Sequence, residues 1–269
     1  YSGSAYEENG KYYFYYTGNV KYEGEEFNYI TDGREQNVIL TTTKDGYNFS
    51  PKRLIMRNED FPKDMTKHVR DPQIIKKENK YFMFLGARDL ADKGSVLLFQ
   101  GDDLLRWEYK LRFTTEEKFG YMWECPNYVE IDGKQFLVIC PQGVQQEGLD
   151  YANVHQCGYF PLAYTFGEET YQLGKFCQLD FYAPQVFKDH KGRTMLIGWM
   201  GMPDSDYHNN ATVEKGWQNA LTLPRELYVT KEGKLAQKPL EELKKLRGGE
   251  KQEAFYNDFC IPVSAWFEM

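Results

Sequence analysis

Pro126–Asn127–Tyr128–Val129–Glu130–Ile131–Asp132–Gly133–Lys134–Gln135–Phe136–Leu137–Val138–Ile139 reads as two short strands around an Asp-Gly turn. Gly and Asn tolerate the positive φ of a tight turn, so a pair of apolar runs joined this way is a hairpin signal. The same template occurs three more times. Ser4–Lys11 leads into Tyr12–Gly18, Pro72–Lys80 into Tyr81–Gly86, and Pro184–Arg193 into Thr194–Trp199. The turn positions Gly10, Asn79, Gly133 and Gly192 recur at intervals of 69, 54 and 59 residues. A hairpin recurring at about 50 residues or more is the sequence mark of propeller blades, each a small antiparallel sheet of about four strands.

Composition agrees. Aromatic residues make up 16% of the 269 residues, with 21 Tyr and 18 Phe, which favours strands. Val38–Thr43 and Ser95–Gln100 read as outer strands, running on to Asn48–Phe49 and to Arg106–Trp107–Glu108. The polar stretch Lys21–Asn37 reads as an insertion loop, and Gly201–Gly216 as a loop over one face. The repeat ends after Trp217–Leu227, and Leu240, Leu243 and Leu246 suggest a short amphipathic helix or linker. The chain thus divides into a propeller over 1–238 and, over 239–269, a linker followed by the start of another domain.

A net charge of −7 argues against a nucleic-acid partner. No apolar run approaches the roughly 20 residues that cross a bilayer, so no membrane partner is expected. Cys125, Cys140, Cys157, Cys177 and Cys260 are odd in number and widely spaced. They form neither a disulfide framework nor a zinc motif, and free thiols point to the cytoplasm. His68, His155, His190 and His208 show no metal-ligand spacing, so neither metal nor cofactor is expected.

Each hairpin is approached through a short polar motif: Ser2–Gly3–Ser4, Arg70–Asp71–Pro72, Glu124–Cys125–Pro126 and Tyr182–Ala183–Pro184. Equivalent positions on radial blades converge on the central axis, which would gather Ser2, Asp71, Glu124 and the Asp180–Tyr182 segment at one channel mouth. Two carboxylates with other polar groups suit glycoside hydrolysis. Arg70 beside Asp71 is expected to keep that carboxyl ionised, and the apolar flanks Trp123 and Cys125 are expected to raise the pKa of Glu124, as a proton donor needs. Taken singly, Glu124 also reads as a strand-end residue facing water, and Arg70–Asp71 as a surface ion pair.

These motifs, with Ser2–Gly3–Ser4–Ala5, Asp180–Phe181–Tyr182–Ala183–Pro184–Gln185, Gly216–Trp217–Gln218 and Leu221–Thr222–Leu223–Pro224–Arg225–Glu226, closely resemble glycoside hydrolase family 32 over residues 1 to about 247. Ile197–Gly198–Trp199–Met200–Gly201 is most similar to its bacterial sucrose and sucrose-6-phosphate hydrolase branch. The resemblance implies an all-β fold, a five-bladed β-propeller followed by a β-sandwich. It also implies cofactor-free release of β-fructosyl units with retention, from sucrose 6-phosphate, sucrose or a fructan.

By motif, Glu124 resembles the general acid/base and Asp71 the residue that holds fructosyl hydroxyls, with Arg70 beside it. Ser2 resembles the serine that contacts the fructosyl ring, with Tyr1 where the family usually has Phe. Asp180 and Trp199 resemble pocket-lining residues. The family's nucleophile lies in a Trp-Met-Asn-Asp-Pro-Asn-Gly motif, which the 269 residues do not contain. The expectation is therefore a chain truncated at both ends: about four blades, the N-terminal blade and most of the sandwich missing, inactive alone and prone to self-association as a homo-oligomer. A carbohydrate-binding propeller without catalysis, a propeller glycosidase acting on arabinan or xylan, and a protein-interaction propeller are the rival readings.

Overall fold

The computed structural model describes residues 2–205 and 212–247. Four antiparallel sheets follow one another along the chain. Blade I comprises β1 (Gly3–Glu8), β2 (Lys11–Lys21), β3 (Arg34–Thr43) and β4 (Arg53–Met56). Blade II comprises β5 (Met65–Lys77), β6 (Lys80–Asp89), β7 (Gly94–Gly101) and β8 (Glu108–Phe113). Blade III comprises β9 (Met122–Ile131), β10 (Lys134–Gln142), β11 (Gly158–Tyr164) and β12 (Tyr171–Leu173), with β13 (Cys177–Gln178) also pairing with β11. Blade IV comprises β14 (Tyr182–Lys188), β15 (Thr194–Trp199), β16 (Arg225–Val229) and β17 (Leu235–Pro239). The four-blade propeller expected from the hairpin repeat is present. Among the described residues no helix is long and apolar enough to cross a membrane.

Why the second strand of each blade is a continuous apolar run follows from packing. Successive strand residues face opposite sides. Met83 and Leu85 of β6 pack with Tyr15, Val38 and Leu40 of blade I, while Phe82 and Phe84 pack with Trp123, Tyr128 and Leu137 of blade III. In β10, Leu137 and Ile139 turn to blade II, and Phe136 and Val138 turn to Leu196 and Leu227 of blade IV. The core is thus three slabs between neighbouring blades, and each buried large side chain in them contributes about 1.5–3 kcal/mol.

Polar side chains stitch the innermost strands across these slabs. Ser4 Oγ accepts from the Ile74 amide (3.3 Å), Gln73 Oε1 from the Tyr128 amide (2.6 Å), and Asn127 Oδ1 from the Val186 amide (3.0 Å). Blades II and III are covered on both faces. The far faces of β1, β2 and β14 instead line a cleft of about 420 Å³ that includes Phe14, Tyr16, Val186 and Phe187.

Two sequence expectations need correction. The excursion between β2 and β3 is confined to residues 22–33, because Arg34 to Asn37 pair with Lys21 to Gly18. Gln36 is held there at both ends: its amide donates to Asn58 Oδ1 and its side chain to Asn19 Oδ1. The fourth strands also come later than the sequence suggests, at Arg53–Met56 and Glu108–Phe113. Glu241–Leu246 form a 3₁₀ helix. The domain expected over 248–269 lies outside the described residues, as do 206–211 of the long loop. The start of that loop reaches blade III, where His155 Nε2 lies 3.0 Å from Asp204 Oδ2.

Candidate active site

Three inner strands share one distortion. Arg70 opposes Gly86 and Gln73 opposes Phe84; Glu124 opposes Cys140 and Asn127 opposes Val138; Tyr182 opposes Trp199 and Gln185 opposes Ile197. Each pair of matches encloses one extra residue, a β-bulge. In each, the residue before proline has positive φ: 63° at Asp71, 47° at Cys125 and 45° at Ala183. Proline suits the position because it has no N–H for the interrupted ladder. Non-glycine residues at positive φ are strained, and bulges re-aim side chains beside functional sites.

The bulges bring Arg70, Glu124 and Tyr182 together. Arg70 Nε and Nη2 donate to Glu124 Oε1 at 2.9 and 2.6 Å, and the Tyr182 hydroxyl donates to Glu124 Oε2 at 2.6 Å. Gly86 makes the approach feasible, since a Cβ there would lie 2.1 Å from the Trp123 carbonyl oxygen. Arg70 Nη1 in turn contacts Gln36 Oε1 (3.3 Å) and His68 Nδ1 (2.9 Å). Asp71 is buried beneath this clamp, accepting from the Cys125 amide at 3.0 Å while its own amide donates to Thr17 Oγ1. Thr17 donates through both its amide and its hydroxyl to the Ser2 carbonyl, which ties the start of blade I to the site.

The electrostatics differ from the sequence expectation. Arg70 lies 2.6 Å from Glu124 but 4.0 Å from Asp71. Burial pushes the Asp71 carboxyl up to about 6; Arg70 opposes that shift and Glu124 adds to it. Arg70 thus favours the ionised form of Asp71, as expected, but burial outweighs it. Nor do Trp123 and Cys125 form the surroundings of Glu124, because adjacent strand residues face opposite ways. Trp123 packs between blades II and III, and Cys125 between III and IV. The Cys125 thiol is pushed well up by the neighbouring Cys140 thiol and by burial. Burial and the facing Glu124 carboxylate raise the Tyr182 hydroxyl, which stays a hydrogen-bond donor.

Of the other residues singled out by sequence, Trp199 borders the cluster through Tyr182, with ring centroids 6.3 Å apart. Ser2 joins by its backbone. Asp180 stands elsewhere: its carboxylate accepts from Arg225 (2.9 Å) and Gln237 (3.1 Å) on the outer strands of blade IV. Tyr1 lies outside the described residues. Tyr182 comes from the Asp180–Tyr182 segment that the sequence placed at the channel mouth, and it stands before Ala183–Pro184 as Arg70 and Glu124 stand before their own X-Pro pairs. The residues that sequence missed are His68, Gln36 and Thr17. A rim of Arg88 over the Tyr121 ring (4.6 Å), with His155 near both Tyr121 and Tyr182, completes the surroundings. Among the described residues no cluster of His, Cys, Asp and Glu could hold a metal ion.

A carboxylate held by a cation and a phenol, beside a second carboxyl whose pKa is raised to about 6, can exchange protons and grip hydroxyls. The family model for glycosyl hydrolases family 32, N-terminal domain, matches residues 1–239. Sucrose-6-phosphate hydrolase of Bacillus subtilis (strain 168) is 37% identical over 262 residues, covering 94% of this chain and 52% of the relative. That of Staphylococcus xylosus is 36% identical, covering 95% and 50%. Among solved structures, sucrose-6-phosphate hydrolase from Lactobacillus gasseri superposes with a TM-score of 0.80 at 29% identity, over 92% of this chain and 50% of that one. The Bombyx mori GH32 beta-fructofuranosidase BmSUC1 gives 0.78 at 29% identity over 93% and 52%; a mutant of it has been solved in complex with sucrose. The chain spans about half the length of the curated relatives it matches.

Proposed function

The chain belongs to glycosyl hydrolase family 32, and from that premise we propose that the whole protein is a retaining β-fructofuranosidase acting on sucrose 6-phosphate or sucrose. The observation that carries this reading is the clamp on Glu124, held by Arg70 and Tyr182 above the buried Asp71. In a retaining mechanism a carboxylate nucleophile attacks the anomeric carbon while the acid gives its proton to the leaving oxygen. Water then hydrolyses the fructosyl ester, with the same acid/base taking the water's proton. Glu124 is the proton carrier in this scheme. Asp71 binds fructosyl hydroxyls, accepting from them through its buried carboxylate. Ser2 and Arg70 line the fructosyl side and Trp199 the pocket wall, while Tyr1 is assigned to the fructosyl side by motif alone. Asp180, engaged with Arg225 and Gln237, has no role in it. The names of the relatives favour sucrose 6-phosphate over a polymeric fructan.

The nucleophile is not among these 269 residues if it sits in the motif absent from them. The test compares fructose release from sucrose 6-phosphate, sucrose and inulin by the whole protein and by this chain. The whole protein should favour the first two, the chain alone should release none, and Glu124→Gln should lower kcat by about 10²–10⁴-fold. Release by the chain at a comparable rate would place a nucleophile within it. A whole protein that binds these sugars without cleaving them would favour the carbohydrate-binding alternative.

A further inference from the structure

His68 stands two residues before Arg70 on β5, so both side chains emerge on the same face. Its Nε2 lies 3.1 Å from the Tyr29 carbonyl oxygen and its Nδ1 lies 2.9 Å from Arg70 Nη1. A carbonyl oxygen only accepts and a guanidinium only donates. One protonation state satisfies both contacts: a neutral imidazole carrying its proton on Nε2. A doubly protonated ring would aim an N–H at the cation. A ring protonated on Nδ1 would fail at both ends.

We propose that His68 is a positioning residue for the acid: it accepts from Arg70, aims that guanidinium at Glu124, and ties the aim to the 22–33 excursion through Tyr29. Burial, together with the nearby Arg70, Arg34 and Arg88, keeps the ring neutral by pulling its pKa down to about 3. Gln36 Oε1 is the second acceptor for Nη1, at 3.3 Å. The guanidinium is thus held on one edge by His68 and Gln36 and presents Nε and Nη2 to the carboxylate. Through the Tyr29 carbonyl, the polar excursion becomes part of the acid's support.

The variants separate this role from simple packing. Asn places its oxygen where His carries Nδ1, and Gln places its nitrogen where His carries Nε2. His68→Asn therefore keeps the acceptor for Arg70, His68→Gln keeps the tie to Tyr29, and His68→Leu keeps neither. In ¹⁵N spectra of the chain, His68 should be the neutral Nε2–H form from about pH 5 to 8, where a free imidazole titrates. The Arg70 Nε–H signal should persist in the wild type and His68→Asn and vanish in the other two.

The kinetic arm rests on the hydrolase reading above. In the whole protein, His68→Gln and His68→Leu should lower kcat for sucrose about 10- to 100-fold, the range of a displaced general acid, and His68→Asn by less than about threefold. Hydrolysis of 4-nitrophenyl β-fructofuranoside, whose leaving group departs without a proton, should change little in all three. An Nδ1–H tautomer, or an Arg70 signal equally strong in His68→Gln and His68→Asn, overturns the proposal. Equal losses on both substrates in all variants would do the same. If the spectra follow expectation while the whole protein releases no fructose, the positioning role stands and the hydrolase reading falls.

Discussion

Asp71 is where the balance of forces is least visible from composition. Its neighbour in sequence is a cation, yet burial outweighs that cation because the guanidinium is spent on Glu124. A carboxyl raised from its usual value near 4 to about 6 favours folding while protonated. That contribution is fully present below about pH 4 and is lost as pH rises through 6. Asp71→Asn, which keeps an acceptor for the Cys125 amide, should remove the loss. Its stability by urea titration should exceed that of the wild type by roughly 3 kcal/mol at pH 7 and by little at pH 4. A constant difference at both pH values would sink this account. The variant should at the same time weaken sugar binding, the usual trade between stability and function at a site.

At the scale of the element, the bulges explain how much of the site was legible. The X-Pro repeat marks Arg70, Glu124 and Tyr182 as equivalent, and the structure brings those three together. Contacts supplied by a different blade left no trace in the sequence. Gln36 sat in a polar stretch that reads as loop, and Glu124 took its environment from Arg70 and Tyr182 rather than from Trp123 and Cys125. Local pattern specifies which residues a strand presents, whereas the partner across the slab depends on how two backbones approach. Ala183 offers a test. At φ 45° a β-branched side chain is a true outlier, so Ala183→Val should cost about 1–3 kcal/mol and loosen Tyr182 from Glu124. Ala183→Gly should be nearly neutral, since relief of strain is offset by greater freedom in the unfolded chain. Thermal melts of the two variants decide it; equal losses would show that the bulge is not under strain.

For the molecule as a whole, the hairpin repeat was enough to read the blade architecture, because a run buried on both faces leaves an unbroken apolar signature in sequence. The uneven cover of the outer blades was harder to read. The cleft beside β1, β2 and β14 exposes Phe187 at 46%, and apolar surface of that kind drives association. Sedimentation of this chain should therefore show a mass that grows with concentration, and Phe187→Lys should suppress the growth. A monomer across the range would contradict it.

The polar stitches carry a different consequence. The amide hydrogens of Ile74, Tyr128 and Val186 are each held by a side chain from the preceding blade. Their exchange with deuterated solvent therefore clocks the parting of two blades rather than the melting of the blade that owns them. Each of the three slabs carries its own reporter, so isotope labelling can tell which pair of blades separates first.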